Sequence, residues 1–400
     1  MSEQLEEVGS QPPPRRFRQL GRLLWPLFAI GAIVALGPLA LLTVIAETRG
    51  GRLAGFWALA TLGMLVLSMA AFRSQRPWPW AVGLVILAGL WAWLGWQAIV
   101  NAPPGRSSSE YGVLQSRFLG EGNLRRHSPL NLIPEVDQVK LAVTLMSRLV
   151  PWMKRDHASR LRQIATRLAL EAEMQPDQRE LGSVSYLAVD ELIGRSFDAG
   201  HYYAYIPKPR AGEKLGAIVF LHGNGGNLKL FAWAWRAFAE EARFAIICPT
   251  YGFGFWGEKG AAAVERVRRD ALEHFPIDHD RVYLGGISDG GNGVTRTGRR
   301  YPHAYRGLIY FSPTMRRDEL GSDAFSRGWA GRPVLVFQGD RDWNVPKKSV
   351  DPAIDLLREQ GCRVTYSVFP GEDHFLFFAR SRELFDAIRR WMASEEAAPR

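Results

Sequence analysis

Residues 281–292 read Arg281-Val282-Tyr283-Leu284-Gly285-Gly286-Ile287-Ser288-Asp289-Gly290-Gly291-Asn292. A short apolar run, Val282 to Leu284, reaches a glycine pair and then Gly286-Ile287-Ser288-Asp289-Gly290, a G-x-S-x-G pentad. The pattern predicts a strand that turns sharply at a serine. Strand and helix crowd such a turn, so only residues without a Cβ fit two places before and after it. The turn lifts the Ser288 hydroxyl clear of the sheet edge and aims the N–H of Asp289 at an oxyanion forming in front of it. The stretch from Asp289 to Tyr301 carries Gly290, Gly291, Gly293 and Gly298, each costing a helix about 1 kcal/mol against Ala. A helix there is expected to be held by burial.

The pentad needs partners, and the surrounding order of elements supplies them. Ala217 to Leu221 is a continuous apolar run, as in a strand buried on both faces. It leads directly into His222-Gly223-Asn224-Gly225-Gly226-Asn227, whose glycines let the backbone approach a ligand closely. The N–H of Asn224, or of Gly225, is the expected second oxyanion donor beside that of Asp289, with His222 bracing the loop. Val334 to Gln338 ends in Gly339-Asp340-Arg341-Asp342-Trp343-Asn344-Val345-Pro346. Either aspartate can orient an imidazole; Asp342, in the spacing G-x-x-D-x-x-V-P, is preferred and Asp340 kept as the alternative. After the last strand comes Phe369-Pro370-Gly371-Glu372-Asp373-His374-Phe375. Of the eight histidines in the chain, His374 has the loop position and the chain order of a general base.

Around these motifs, strands are expected at 183–189, 201–206, 217–221, 244–248, 307–311, 334–338 and 363–369, with helices at 231–242, 261–275, 350–360 and 381–394. Such alternation means an α/β fold, a mostly parallel sheet covered on both faces, with functional groups at the carboxyl ends of its strands.

The amino-terminal part is different in kind. After a polar tail, residues 1–22, three runs almost free of charge follow at about 23–46, 53–72 and 80–100. Each matches the roughly twenty residues that cross a hydrocarbon core of about 30 Å, so 23–100 is expected to be a transmembrane domain of three helices in the lipid bilayer. A cleaved signal peptide has a shorter apolar core and no further spans after it. Arg15, Arg16, Arg18, Arg22, Arg73 and Arg76 fall on one side, Arg49 and Arg52 on the other. By the positive-inside rule the tail is cytoplasmic and the large carboxyl-terminal part lies outside the cytoplasm, in the inner or plasma membrane. Residues 101–180 are expected to be a linker and helical spacer, with Val136, Val139, Val143, Met146 and Val150 on one helix face, and 181–395 the α/β domain.

The net charge of +10 is spread in arginine-rich patches. Membrane topology accounts for part of it, and with no aromatic-basic motif no nucleic-acid partner is expected. Cys248 and Cys362 lie far apart without metal-ligand spacing, which reads as buried thiols. No metal and no cofactor are expected.

Taken jointly, His222-Gly223-Asn224-Gly225-Gly226, Gly286-Ile287-Ser288-Asp289-Gly290, Gly339-Asp340-Arg341-Asp342 and Glu372-Asp373-His374-Phe375 resemble the α/β-hydrolase family, in its esterase and prolyl-oligopeptidase-like branches. The resemblance spans roughly 181–395. It implies attack by Ser288, an acyl-enzyme, and release by water with His374 as base and Asp342 behind it. The acidic Asp289 after the nucleophile and the short 312–332 connection depart from the family's pattern. The helix N-terminus is expected to favour the Asp289 charge, and the short connection leaves little room for a lid. Tyr251, Phe253, Trp256 and Trp343 are the expected binding residues for a small ester, thioester, amide or peptide carrying an apolar group. Acyl transfer on the same triad, and a non-catalytic membrane protein with a hydrolase-like binding domain, are the alternative functions.

Overall fold

Alternating side-chain direction along each strand divides the core of this protein into two layers, one on each face of a sheet. The computed structural model describes residues 30–34, 36–73, 78–100, 110–119, 133–149, 155–174, 181, 200–252 and 254–397, in two compact units, Met1–Leu94 and Gly95–Arg400.

In the first unit, the helices Arg49–Arg73 and Trp78–Val100 follow a short helix, Leu42–Ile45. Two stretches, Arg49–Ala71 and Trp80–Gln97, are long and apolar enough to cross a membrane by length and composition. Val82, Val85, Ile86 and Trp91 expose their side chains, as a lipid-facing surface would. The first expected span is only partly described, and its described part is broken by a turn at Leu41, three residues beyond Pro38, which lacks the N–H a continuous helix needs. The second starts earlier than expected because Thr48 caps it, its hydroxyl accepting from Gly51 N–H at 3.0 Å. Arg49 and Arg52 therefore lie on the helix rather than in a loop.

The second unit is built on one eight-stranded sheet in the order β1-β2-β4-β3-β5-β6-β7-β8. The strands are β1 Leu114–Phe118, β2 His201–Tyr205, β3 Leu215–Leu221, β4 Phe244–Pro249, β5 Ile277–Ile287, β6 Leu308–Phe311, β7 Pro333–Gly339 and β8 Arg363–Phe369. Only β2 runs against the others, pairing antiparallel with β1 and β4. This is the α/β-hydrolase fold expected from the motifs.

Ala217, Val219 and Leu221 of β3 pack with Val282, Leu284, Leu308, Val334 and Val336 on one face. Ile218 and Phe220 pack with Tyr283, Phe311, Phe337, Trp235, Phe377 and Phe385 on the other. Each such apolar side chain contributes about 1.5–3 kcal/mol on full burial. Both faces are covered, so the central strands carry almost no polar residues and read as continuous apolar runs.

Two expectations are corrected here. The stretch expected to hold only linker and spacer contains β1, so the sheet begins well before residue 181; Gln115 and Ser116 make β1 too polar for an apolar-run criterion. The single helix expected over 231–242 is two, Lys229–Ala234 and Arg236–Ala242. The strand expected at 183–189 lies outside the described residues.

The spacer helices, Glu135–Leu149 and Arg155–Glu173, pack onto the α/β unit. Val139, Val143, Ala158, Leu161 and Ala165 form an apolar cluster with Leu230, against which Leu228, Trp343, Phe375 and Phe378 rest. Buried Glu135 accepts from the backbone N–H groups of Lys229 and Leu230, satisfying donors that the helix Lys229–Ala234 cannot satisfy itself. Replacing Glu135 by Ala strands both donors in a buried place. It is expected to cost about 2–4 kcal/mol, seen as a lower denaturation midpoint in detergent, with Glu135→Gln recovering part; an unchanged midpoint would show that water reaches these groups.

Candidate active site at the carboxyl edge of the sheet

Ser288 follows β5 directly and has φ 53°, in the left-handed region. Its N–H donates to Phe311 O at 3.0 Å, and its carbonyl accepts from the N–H groups of Gly291 and Thr314 at 2.9 Å each. These bonds tie the turn to β6, to the loop after it and to the helix Gly290–Arg300. A Cβ at Gly286 would lie 2.6 Å from Gly290 O, and one at Gly290 would lie 2.3 Å from Leu221 O. Both neighbours are backbone and cannot swing away, which is why the pentad has glycine at these positions. The glycine-rich helix is held by burial as expected: a Cβ at Gly293 would meet the Trp256 ring at 2.7 Å.

After β3 the chain passes close beside the serine, where a Cβ at Gly223 would stand 3.0 Å from Ser288 Cβ. His222 is fully buried. Its Nε2 accepts from Tyr251 N–H at 3.2 Å, its Nδ1 donates to Gly223 O at 2.8 Å, and its carbonyl accepts from Trp256 Nε1 at 2.9 Å. Burial pushes its pKa down to about 4, so the ring stays neutral with both nitrogens used. It braces the loop. Asn224 and Gly225 are exposed beyond it, and among the described residues the N–H groups of Asn224 and Asp289 donate to no backbone carbonyl.

The third and fourth loops meet through a buried pair. His374 Nδ1 donates to Asp342 Oδ2 at 2.9 Å. Asp342 Oδ1 accepts from the N–H groups of Asn344 and Val345 at 2.9 and 2.7 Å, which aims the other oxygen at the ring. Asp340, the alternative, instead accepts from Gly371 N–H at 2.7 Å and stays exposed. The register carries all these loops to one edge: Ile287 lies opposite Phe311, Phe311 opposite Phe337, and Gly339 opposite Phe369. The imidazole and the Ser288 hydroxyl are not hydrogen-bonded; His374 Nε2 is 3.1 Å from Asn344 Nδ2.

Other expectations change. Tyr251 and Trp256 were expected to line a binding pocket. They are 6% and 2% exposed and stacked on each other in the core beneath the His222 loop, so they support that loop instead. Trp343 is half-buried against His374 and Phe375, and Phe253 lies outside the described residues. Asp289 was expected to be favoured as an anion. Burial instead raises its pKa, only partly opposed by hydrogen bonds from Asn292 and Thr314.

Sequence reasoning also missed what holds the His374 loop. His157 pairs with Asp373, Arg160 with Glu372 at 3.0 Å and Arg380 with Glu372 at 2.7 Å. Two of these partners, His157 and Arg160, come from a spacer helix more than 200 residues away, a distance no local pattern spans.

A serine–histidine hydrogen bond does occur elsewhere, joining Ser116 Oγ to His201 Nε2 at 2.8 Å. There Nδ1 faces the Thr250 hydroxyl at 2.9 Å rather than a carboxylate, and complete burial pushes the ring down to about 3. The contact pegs β1, β2 and the end of β4 together.

Among the comparisons with known proteins, only solved structures give matches. No family model matches the chain, and no curated protein does. Solved structures to which it is similar include a thermostable esterase, 21% identical over 50% of this chain and 56% of that one, with a TM-score of 0.38. A hyperthermophilic esterase from the archaeon Pyrobaculum calidifontis is 16% identical over 50% of this chain and 83% of that one, TM-score 0.40. The fluorophosphonate-binding serine hydrolase F of Staphylococcus aureus is 14% identical over 48% and 92%, TM-score 0.42. The chain thus spans little more than half of the thermostable esterase's length. At these identities the likeness speaks to the fold alone.

The buried histidines make the stability of the α/β unit depend on pH. Unfolded, His201 and His222 bind protons near pH 6.5; folded, they do so only near pH 3 and 4. The unfolded state therefore binds more protons inside that window, and stability present above pH 6.5 is lost as pH falls through it. Thermal unfolding is expected to show Tm dropping between pH 6.5 and 5, before most carboxylates titrate, and His201→Gln should flatten the drop. A level Tm over that range would contradict the neutral burial of both rings.

Proposed function

We propose that the chain is a membrane-anchored serine hydrolase that cleaves a small ester, thioester or amide through Ser288, His374 and Asp342. The observation that carries this reading is the pairing of a strained, exposed-edge Ser288 with a buried His374–Asp342 couple at the same ends of adjoining strands. Asp342 holds the neutral ring as the Nδ1–H tautomer and leaves the Nε2 lone pair on the opposite side, as proton removal from a hydroxyl requires. Ser288 Oγ attacks the substrate carbonyl carbon, and its proton passes to Nε2. The carbonyl oxygen becomes an oxyanion facing the N–H groups of Asp289 and Asn224. His374 returns the proton to the leaving group, and a water activated by the same nitrogen then releases the acid. Every step is carried by these side chains and backbone groups.

The Asp289 carboxylate is itself engaged by Asn292 and Thr314, and it is the backbone N–H of this residue that serves the oxyanion. Trp343, Phe375 and Leu228, closed over by the spacer helices, offer an apolar wall for the substrate's acyl or alcohol part. The apolar amino-terminal helices are read as the anchor; three spans behind a cytoplasmic tail would put the hydrolase unit outside the cytoplasm.

A fluorophosphonate probe is expected to label the full-length protein at Ser288, and Ser288→Ala or His374→Ala to lower kcat on a short-chain aryl ester by about 10³–10⁶-fold. Undiminished labelling of Ser288→Ala places the nucleophile elsewhere. Asn344 must leave His374 Nε2 before the serine proton can arrive there. The contact occupies the lone pair that must take the proton, so Asn344→Ala should raise kcat on the aryl ester or leave it within about tenfold. A loss as large as that of His374→Ala would mean that Asn344 is itself needed for turnover.

A further inference from the structure

At the amino ends of β5 to β8, opposite the catalytic edge, lies a cavity of about 360 Å³ lined by His279, Asp280, His303, Arg306, Arg332, Arg363 and Glu395 among others. Its charges do not balance locally. Arg363 is paired with Glu395, and Asp280 stands exposed beside His279. Arg306 and Arg332 are each half-buried; among the described residues their acceptors are backbone carbonyls, with the Tyr283 hydroxyl beside Arg306 and the Trp329 ring 4.1 Å from the Arg332 guanidinium. Arg332 donates to Pro302 O at 2.7 Å, to Gly328 O at 3.0 Å and to Tyr305 O. Arg306 donates to Glu395 O at 2.8 Å, and among the described residues its buried Nε meets no acceptor in hydrogen-bonding geometry.

Carbonyls orient a guanidinium without neutralising it, and taking an uncompensated charge partly out of water is costly. For Arg332 the cost shows as a pKa below the usual value, caused by burial. A neutral amide side chain would satisfy many of the same carbonyls, so loop-stapling alone does not call for arginine. A planar fork with spare N–H groups, facing a cavity of small-molecule size, is the geometry that recognises tetrahedral oxyanions.

We propose that this cavity is a binding site for a phosphate group, held chiefly by Arg306 and Arg332 with Arg363 at its rim. The site is separate from Ser288 and does not depend on the hydrolase reading. The phosphate can come from a free anion or from an anionic lipid headgroup, and two probes separate these sources: inorganic phosphate, and a short-chain phosphatidylglycerol below its micellar concentration.

The test is calorimetric titration of the full-length protein in neutral detergent at low ionic strength, for the wild type, Arg306→Gln and Ser288→Ala. Arg306 is the residue to change, because Arg332 also staples loops and its loss can unfold the protein. Saturable binding of either probe, weakened at least tenfold by Arg306→Gln and unchanged by Ser288→Ala, is the expected result, and the better probe identifies the source. A thermal-unfolding control establishes that Arg306→Gln is folded. Absence of binding by both probes in the wild type, or binding indifferent to Arg306→Gln, overturns the proposal. Binding lost in Ser288→Ala also overturns it, by placing the anion at the catalytic edge.

Discussion

Ser288 holds a backbone conformation that costs an L-residue about 1–3 kcal/mol, and the carboxyl edge of the sheet is arranged around keeping it there. Three backbone hydrogen bonds and two close backbone contacts, at Gly286 and Gly290, fix it from β3, β6 and the following helix. The strain is affordable because those elements sit in a fully buried parallel sheet whose two apolar layers over-determine their positions. Loosening either layer would let the turn relax, since its conformation is uphill in energy when alone.

The same edge shows how buried polar groups are made tolerable. Asp342 shares its two oxygens among the His374 ring and two backbone N–H groups. His222 spends one nitrogen as donor and one as acceptor. Glu372 and Asp373 face cations from the spacer helix and from Arg380. Each of these groups would be expensive if orphaned. Because their partners come from different loops, satisfying one fixes another, and the edge behaves as a single network rather than as independent contacts. The spacer helices belong to this network through Glu135, His157 and Arg160, so they act on the loops rather than serving as a linker alone. The short connection after β6 leaves that covering task to them.

Much of this was legible from local chemistry. Glycines flanking Ser288, a glycine loop directly after an apolar run, and the order Ser288, Asp342, His374 all express constraints that act within a few residues. Strand positions were legible where both faces are buried, since continuous apolar runs mark them. β1 escaped notice because an edge strand with Gln115 and Ser116 lacks that mark. Tyr251 and Trp256 were misjudged because an aromatic ring reads the same whether it lines a pocket or fills a core; its neighbours across the fold decide. Arg306 and Arg332 stood out in no motif, because the acceptors that hold an arginine, here carbonyls of other segments, are not visible along the chain.

What the sequence determined by itself is whatever depends on spacing along the chain: apolar runs long enough to cross a bilayer, the alternation of strands and helices, and the backbone freedom that the Ser288 turn demands. What only the tertiary structure decided is which distant groups share a proton or a charge: Asp342 rather than Asp340 on His374, Asn344 on the ring's other nitrogen, and burial rather than the helix dipole controlling Asp289. The reason is physical. Backbone conformation is set by neighbours a few residues away, whereas hydrogen-bond partnership and desolvation are set by what packs within a few ångströms, which here is contributed by segments more than 200 residues apart in the chain.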